Sequence, residues 1–308
     1  MRHQKYLNKN IADLSGQIAV VTGANSGLGF EVTRQLAYKG ATVVMACRSQ
    51  AKAEVAREKI LRELPSAQLE VMAYDQADFR SIDRFVAALK QLHPRIHVLV
   101  CNAGIFNPPR KTELLPGLNL TLGTNFVGLY YLMREITPYL DQAGTPTRVI
   151  FVSSIAAYHV PGYRFDHVLG DNISTYEQYA NSKLAIDRLF HVLAQGMNLF
   201  DFQDRKNVSF FLTHPGITAT NITHYFPRWL TRLADFVLKV FVHMPEKAAL
   251  TITRAAGAPY VFNGSYFVPR GLFEISGLPK KRAFPKRMVK GSGQFIYDVG
   301  KYLERIDR

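Results

Sequence analysis

Tyr179 and Lys183, in the run Tyr-Ala-Asn-Ser-Lys, are the side chains best suited to do chemistry in this 308-residue chain. On a helix a spacing of four places both on one face, about one turn apart. A free phenol titrates near pH 10, so at neutral pH it is a sluggish proton donor and a rare base. An ammonium alongside favours the phenolate and is expected to bring the phenol toward the working pH, where general acid–base catalysis is most effective. Tyr and Lys at this spacing occur by chance on many helices, so the pair gains meaning only from what the rest of the chain brings to it.

A second feature supplies that meaning. Gln17-Ile18-Ala19-Val20-Val21 runs into Thr22-Gly23-Ala24-Asn25-Ser26-Gly27-Leu28-Gly29, and a helix-compatible stretch follows through Lys39. This is the layout of a nucleotide-binding strand–turn–helix, with three residues between the first two glycines and one between the last two. Gly23 allows the sharp turn, Gly27 lets the backbone approach a pyrophosphate, and Gly29 lets the helix pack closely on the strand. The helix N-terminus adds partial positive charge for the phosphates. Asn25, Ser26 and Leu28 belong to the same loop and are predicted to touch the dinucleotide with the glycines. Cofactor choice is read about 20 residues further on, where an acid would bond a ribose 2′-hydroxyl. Here Thr42-Val43-Val44-Met45-Ala46-Cys47 ends in Arg48-Ser49. A guanidinium there suits the 2′-phosphate of NADP(H), with Ser49 as a second contact.

The elements that must position these residues alternate. Apolar, β-branched runs near 17–22, 41–47, 68–74, 96–101, 147–153 and 207–213 predict strands. Helical patterns fall between them, near 27–39, 50–64, 79–92, 119–141 and 174–200. That rhythm predicts a Rossmann-type, doubly wound α/β fold: a mainly parallel sheet with helices on both faces, forming one domain over residues 1–308. His214-Pro215-Gly216-Ile217-Thr218 follows the sixth strand, at the carboxyl end where open α/β sheets bind ligands. His214, at the loop start, reads as structural. From Thr218 the rhythm changes, and 218–258 is predicted to cover the substrate. Its apolar, aromatic part, 225–242, fits a lid, a core-packed helix or an amphipathic membrane anchor. A final strand near 264–268 and a helix near 292–306 complete the chain.

These motifs together resemble the short-chain dehydrogenase/reductase family over about residues 15–220, and its retinol-dehydrogenase-like branch in particular. The resemblance is carried by Thr22-Gly23-x3-Gly27-x-Gly29, Asn102-Ala103-Gly104, Asn125, Ser153-Ser154, Tyr179-x3-Lys183 and Pro215-Gly216. It implies an oxidoreductase moving hydride between NADP(H) and a carbonyl or alcohol carbon. In that reading Tyr179 exchanges the proton, Lys183 lowers its pKa and bonds the nicotinamide ribose, and Ser154 holds the substrate oxygen. Asn125 supports the relay through a water-mediated link to Lys183. Asp75 would bond the adenine, although its neighbour Gln76 is polar where the family has an apolar residue. Asn102, Ala103 and Gly104 would border the cofactor, and Pro215, Gly216 and Thr218 its nicotinamide end. Twenty-five positions separate Ser154 from Tyr179, about twice the common spacing, and the extra segment resembles an insertion of the retinol-dehydrogenase-like branch. The alternative function is a non-catalytic NADP-binding sensor of the same fold.

Composition narrows the partners. Hydrophobic residues at 47% and charged residues at 20% fit a globular protein with a full core. The net charge of +14 is partly local to a basic extension at 270–308, which holds ten Lys/Arg against four Asp/Glu. Lys280-Lys281-Arg282 and Lys286-Arg287 lack the aromatic interleaving of a nucleic-acid module and read as solvated surface. The expected partner is a small, lipophilic carbonyl or alcohol, with no nucleic acid and no metal. Membrane contact remains tied to 225–242, and a homodimer or homotetramer is left open. The N-terminus has no apolar signal-peptide core, and no run reaches the roughly 18 apolar residues that span a bilayer, so the expectation is cytoplasmic. The resemblance puts Cys47 and Cys101 on strands flanking the first, about 10 Å apart, too far for a disulfide.

Overall fold

Successive residues of the first strand, β1 (Ile18–Thr22), point to opposite faces of the sheet, and both faces are covered. Val20 joins one apolar cluster with Leu99, Phe151 and Phe210, while Ala19 and Val21 join another with Val43, Val100 and Phe211. Two buried faces explain why these strands read as continuous apolar runs rather than alternating ones. The computed structural model describes residues 2–106, 108, 113–115, 117–142, 146–160, 165, 173–197, 199, 207–218 and 244–306. The predicted cover at 225–242 and most of the extra segment before Tyr176 lie outside them.

The main sheet comprises β1, β2 (Thr42–Cys47), β3 (Leu69–Ala73), β4 (Val98–Cys101), β7 (Thr147–Val152), β8 (Val208–Thr213), β9 (Tyr266–Pro269) and β10 (Pro279–Arg282). Its order is β10-β9-β8-β7-β4-β1-β2-β3, parallel throughout except for the antiparallel β10 edge. A two-stranded ribbon, β5 (Glu113–Leu115) with β6 (Leu118–Asn119), stands apart from it. The strand order reverses direction between β1 and β4, and the carboxyl ends of those two strands open onto the ligand crevice that such a reversal creates. Cys47 and Cys101 end β2 and β4, on either side of β1, and are buried free thiols.

The first cluster is capped by the helices Phe79–Leu92, Thr175–Ala194 and Ser292–Ile306, and by a composite helix over 120–142. The second is capped by Gly27–Tyr38, Gln50–Glu63, Pro245–Gly257 and the short N-terminal helix Gln4–Asn10. Arg34, 4% exposed, bonds Glu31 on its own helix and ties Gly27–Tyr38 to its neighbours through Glu63 (2.7 Å) and Glu246. A lone buried guanidinium would be costly; three carboxylates offset its charge, and Glu246, with Gln35 donating to its carbonyl at 2.7 Å, fixes the helix against Pro245–Gly257. The helix carrying Tyr179 starts at a capping box, in which Ser174 and Glu177 bond each other's backbone N–H. It ends at Ala194 rather than near 200, because Gly196 takes a left-handed turn (φ 69°).

Candidate active site

A cleft of about 750 Å³ runs along the carboxyl ends of the strands, and every residue predicted to bind or react lines it except Gly29 and Asn125, which pack behind its wall. At its centre the glycine turn behaves as its spacing requires. Gly23 and Gly27 are left-handed (φ 68° and 55°), and a Cβ on Gly29 would lie 2.2 Å from the Gly23 carbonyl oxygen. The helix that follows begins at Ser26 with no side-chain cap, so its first N–H groups are left for a ligand. A pyrophosphate fits these donors.

Thr22 and Asn102 hold the crevice open. Thr22 Oγ1 accepts from the backbone N–H of Asn102 (3.0 Å) and Ala103 (2.9 Å) and donates to the Val100 carbonyl (3.2 Å). Asn102 Nδ2 donates back to the Thr22 carbonyl at 2.9 Å. These bonds join the ends of β1 and β4 at the point of reversal. Gln76, whose polarity departs from the family pattern, is 4% exposed and fully engaged. Its amide donates to the Thr124 carbonyl (2.6 Å) and the Ala103 carbonyl (3.2 Å) and accepts from the Tyr74 hydroxyl (3.0 Å). It therefore stitches the loop after β3 to the loop after β4, as an apolar residue cannot. Beside it, Asp75 takes the Ala77 N–H at 3.0 Å and still faces the cleft.

At the β2 end the cleft carries Arg48 and Ser49, and also Lys52, which the sequence reading did not single out. Ser49 caps the helix Gln50–Glu63 by accepting from the Lys52 N–H, which places Lys52 one turn beyond Arg48. Both cations are exposed. The available signal was this cap position together with a Lys three residues into the helix.

At the opposite end Tyr179, Lys183 and Ser154 converge. The Ser154 hydroxyl lies beside the Tyr179 hydroxyl, where it favours the phenolate, and Ser154 Oγ accepts from the Ala156 N–H at 3.2 Å. Phe106 packs edge-on against the Tyr179 ring, with centroids 4.7 Å apart. Lys183, 6% exposed, donates from Nζ to the Val152 carbonyl at 3.0 Å. Its Nζ lies 5.7 Å from the Tyr179 ring centroid. Contrary to the sequence expectation, the phenol is not brought down by Lys183. Burial pushes the Tyr179 pKa up, with only Ser154 opposing it. Burial also pushes Lys183 down, to about 8, against the pull of Asp187. Helical spacing brings the two side chains to one face, but the Val152 carbonyl decides where the ammonium points.

Asn125 is fully buried in a π-turn, Gly123–Val127, the kind of helix irregularity that re-aims a side chain at functional sites. Its amide clamps the loop after β4, accepting from the Ile105 N–H (2.7 Å) and donating to the Ile105 carbonyl (2.9 Å) and to Ser182 Oγ (3.0 Å). None of these bonds reaches Lys183 directly. Gly104 keeps the space between them, since a Cβ there would sit 3.1 Å from Asn125 Oδ1 and 3.7 Å from Lys183 Nζ. His214 is wholly buried at the start of the loop Pro215–Thr218. Its Nδ1 accepts the Gly216 N–H (3.1 Å), so Nε2 carries the proton shared with Glu274 (3.0 Å). Glu274 also meets Arg282 at 2.5 Å and Lys280 at 3.8 Å, so two of the cations read as solvated surface are ion-paired.

A sequence profile of the short chain dehydrogenase family matches residues 17–231. This chain belongs to that family. Its relatives place it in the retinol-dehydrogenase-like branch, as an oxidoreductase acting on CH–OH groups. Human retinol dehydrogenase 14 is 29% identical over 94% of this chain and 87% of its own length. A WW domain-containing oxidoreductase of Drosophila melanogaster is also 29% identical, over 93% of this chain and 70% of its length. Among solved structures, an uncharacterised protein from Mycobacterium Paratuberculosis superposes with a TM-score of 0.68 at 26% identity, covering 95% of this chain and 96% of that one. A metagenomic short-chain oxidoreductase in complex with NADP shares the fold with a TM-score of 0.57 at 23% identity, over 82% and 96% of the two chains.

Proposed function

We propose that this chain is an NADP(H)-dependent oxidoreductase that interconverts a lipophilic carbonyl compound and its alcohol. The observation that carries this is the convergence of Ser154, Tyr179 and Lys183 at one end of a cleft whose other end presents Arg48 and Lys52. The glycine turn and open helix N-terminus would hold the pyrophosphate, Asp75 the adenine, and Arg48 with Ser49 and Lys52 the 2′-phosphate. Pro215, Gly216 and Thr218 would border the nicotinamide. A bound nicotinamide supplies the hydride chemistry.

The chain's own groups handle the proton. A phenol whose pKa burial has raised is fully protonated at neutral pH, so Tyr179 is a donor to the oxygen of a carbonyl substrate. Ser154 holds that oxygen against Tyr179, and Lys183, held at the cleft by the Val152 carbonyl, would bond the nicotinamide ribose. Asn125, by fixing Ile105, keeps the cleft wall from moving. In the alcohol direction Tyr179 must first lose its proton, which burial opposes, so oxidation gains from alkaline conditions. Ile105, Phe106, Ile155 and Ile217 give the reacting end an apolar lining, which suits a lipophilic substrate. A relative named as a retinol dehydrogenase accords with that choice.

The test is a steady-state screen of aldehydes, ketones and alcohols with NADPH and NADH in parallel. Turnover with NADPH and apolar carbonyls is expected. Tyr179→Phe should lower kcat about 10²–10⁴-fold while leaving NADPH affinity within a few fold. Tight NADPH binding with no turnover on any substrate would instead mark a non-catalytic sensor.

A further inference from the structure

One buried acid has no part in the chemistry described above. Asp187 lies one turn beyond Lys183 and two beyond Tyr179, so the three side chains follow one another along a single face of the helix Thr175–Ala194. It is 1% exposed, and its Oδ1 has no hydrogen-bond partner. Its neighbours Ala185, Ile186, Leu189 and Phe190 all enter the apolar core, where a carboxyl is costly unless it is neutral or faces a cation. The groups that face it come from four elements: Lys183 on its own helix, Ser153 at the end of β7, Tyr158 in the turn that follows, and Tyr266 on β9. Behind the two tyrosines, whose hydroxyls are 2.5 Å apart, lie Glu274 and Arg282. Lys183 is the cation among the groups acting on the Asp187 carboxyl. It is itself an interior ammonium bonded to the Val152 carbonyl, which satisfies one of its three donors but none of its charge.

We propose that Asp187 is the counter-charge of the site: a positioning residue that keeps Lys183 protonated and pointed at the cleft, and so sets the pH above which the site fails. The role of Lys183 in this statement rests on the function proposed above. Burial pushes Lys183 down, to about 8, and Asp187 up, and each is held back by the other. The sign follows directly. Without the carboxylate, burial alone acts on Lys183 and its proton leaves at lower pH.

The test is Asp187→Asn in the full chain, a near-isosteric change that removes the charge and leaves Tyr179, Lys183 and Ser154 in place. Two profiles are read against pH: NADPH affinity by fluorescence titration, and kcat for a carbonyl substrate from the screen. The alkaline limb of both should move down by about one pH unit, so that NADPH binds about fivefold more weakly than to wild type near pH 8 and about tenfold more weakly well above it. Near pH 6 the variant should regain wild-type affinity, a recovery that a merely damaged fold would not show. Profiles that superimpose on wild type would overturn the proposal. If the variant does not accumulate, Asp187→Ser takes its place. If neither accumulates, infrared difference spectra of wild type must show a carboxylic-acid band lost across the range in which NADPH affinity falls; its absence is refuting. Wild type that binds NADPH but turns over nothing would defeat the enzymatic function while the affinity profiles still decide the role of Asp187.

Discussion

Removing the two cations at the end of β2 should change which dinucleotide the cleft prefers. Arg48 and Lys52 stand one helical turn apart, both exposed, on the wall that would face a 2′-phosphate. At about 4 Å a unit pair is worth about 1 kcal/mol in water and about 4 kcal/mol at a protein surface. A charge-assisted hydrogen bond nets about 1.5–3 kcal/mol, and exposure argues for the lower end. About 1.5 kcal/mol per cation corresponds to about a tenfold change in Kd. The two would share one phosphate, so their losses should not add fully, and the double variant Arg48→Ala/Lys52→Ala should lose about 30–100-fold. NADH carries no such phosphate and should bind the double variant within about twofold of wild type, an order-of-magnitude expectation from the same contacts. Parallel fluorescence titrations with NADPH and NADH, at low and high salt, read this directly, and the NADPH loss should shrink as salt screens the charges. An equal loss for both dinucleotides, or a wild type preferring NADH, would refute the reasoning.

Two further outcomes follow from packing and charge. Gly29→Ala places a methyl 2.2 Å from the Gly23 carbonyl oxygen and 2.6 Å from Asn102 Nδ2, backbone and a braced amide that cannot both yield. It should cost about 1–3 kcal/mol of stability and most of the dinucleotide affinity; a melting point and Kd unchanged from wild type would show the turn to be more pliable than drawn. The His214–Glu274 pair predicts loss of stability in acid. Burial lowers the His214 pKa below 6.5, and Glu274, which burial alone would raise, is held below 4.5 by its bonds from His214 and Arg282. Both groups take up protons more readily when unfolded, so their contribution is present near neutrality. It starts to fade below about pH 6.5 and is lost as the pH falls through the folded value of Glu274. Thermal melts from pH 7 to 3 should show this slope, and Glu274→Gln should lower the melting point at pH 7 and flatten the part below about pH 4.5, leaving the histidine part above it; an unchanged acid limb would remove the pair from the account.

Much of the site was legible because its parts are local patterns. The glycine turn, the Tyr179–Lys183 spacing and the Arg48 position each lie within a few residues, and helical or strand periodicity places them without knowledge of the rest. What escaped depends on partners far along the chain. Gln76 read as a departure, yet it meets Thr124 across 48 positions. His214 and Glu274 are 60 apart, and only the order of the sheet brings them together. The strand Pro279–Arg282 has no apolar alternation to announce it, since it pairs through its backbone at an exposed edge. The N-terminal helix buries a single leucine, Leu7, and leaves no periodic signal. The direction of the Tyr179 shift also lay outside reach, because residue spacing says nothing about desolvation.

The exposed margin formed by β10 bears on colloidal behaviour. An outermost strand offers unpaired amides and carbonyls to any passing chain, and a second molecule could extend the sheet there. Lys280, Lys281 and Arg282 occupy that margin in unbroken succession, so a copy approaching along it would bring like charge against like. That succession would act as a gatekeeper against fibre growth, and neutralising Lys281, the member outside the Glu274 ion pairs, should make the protein aggregate more readily as it is concentrated.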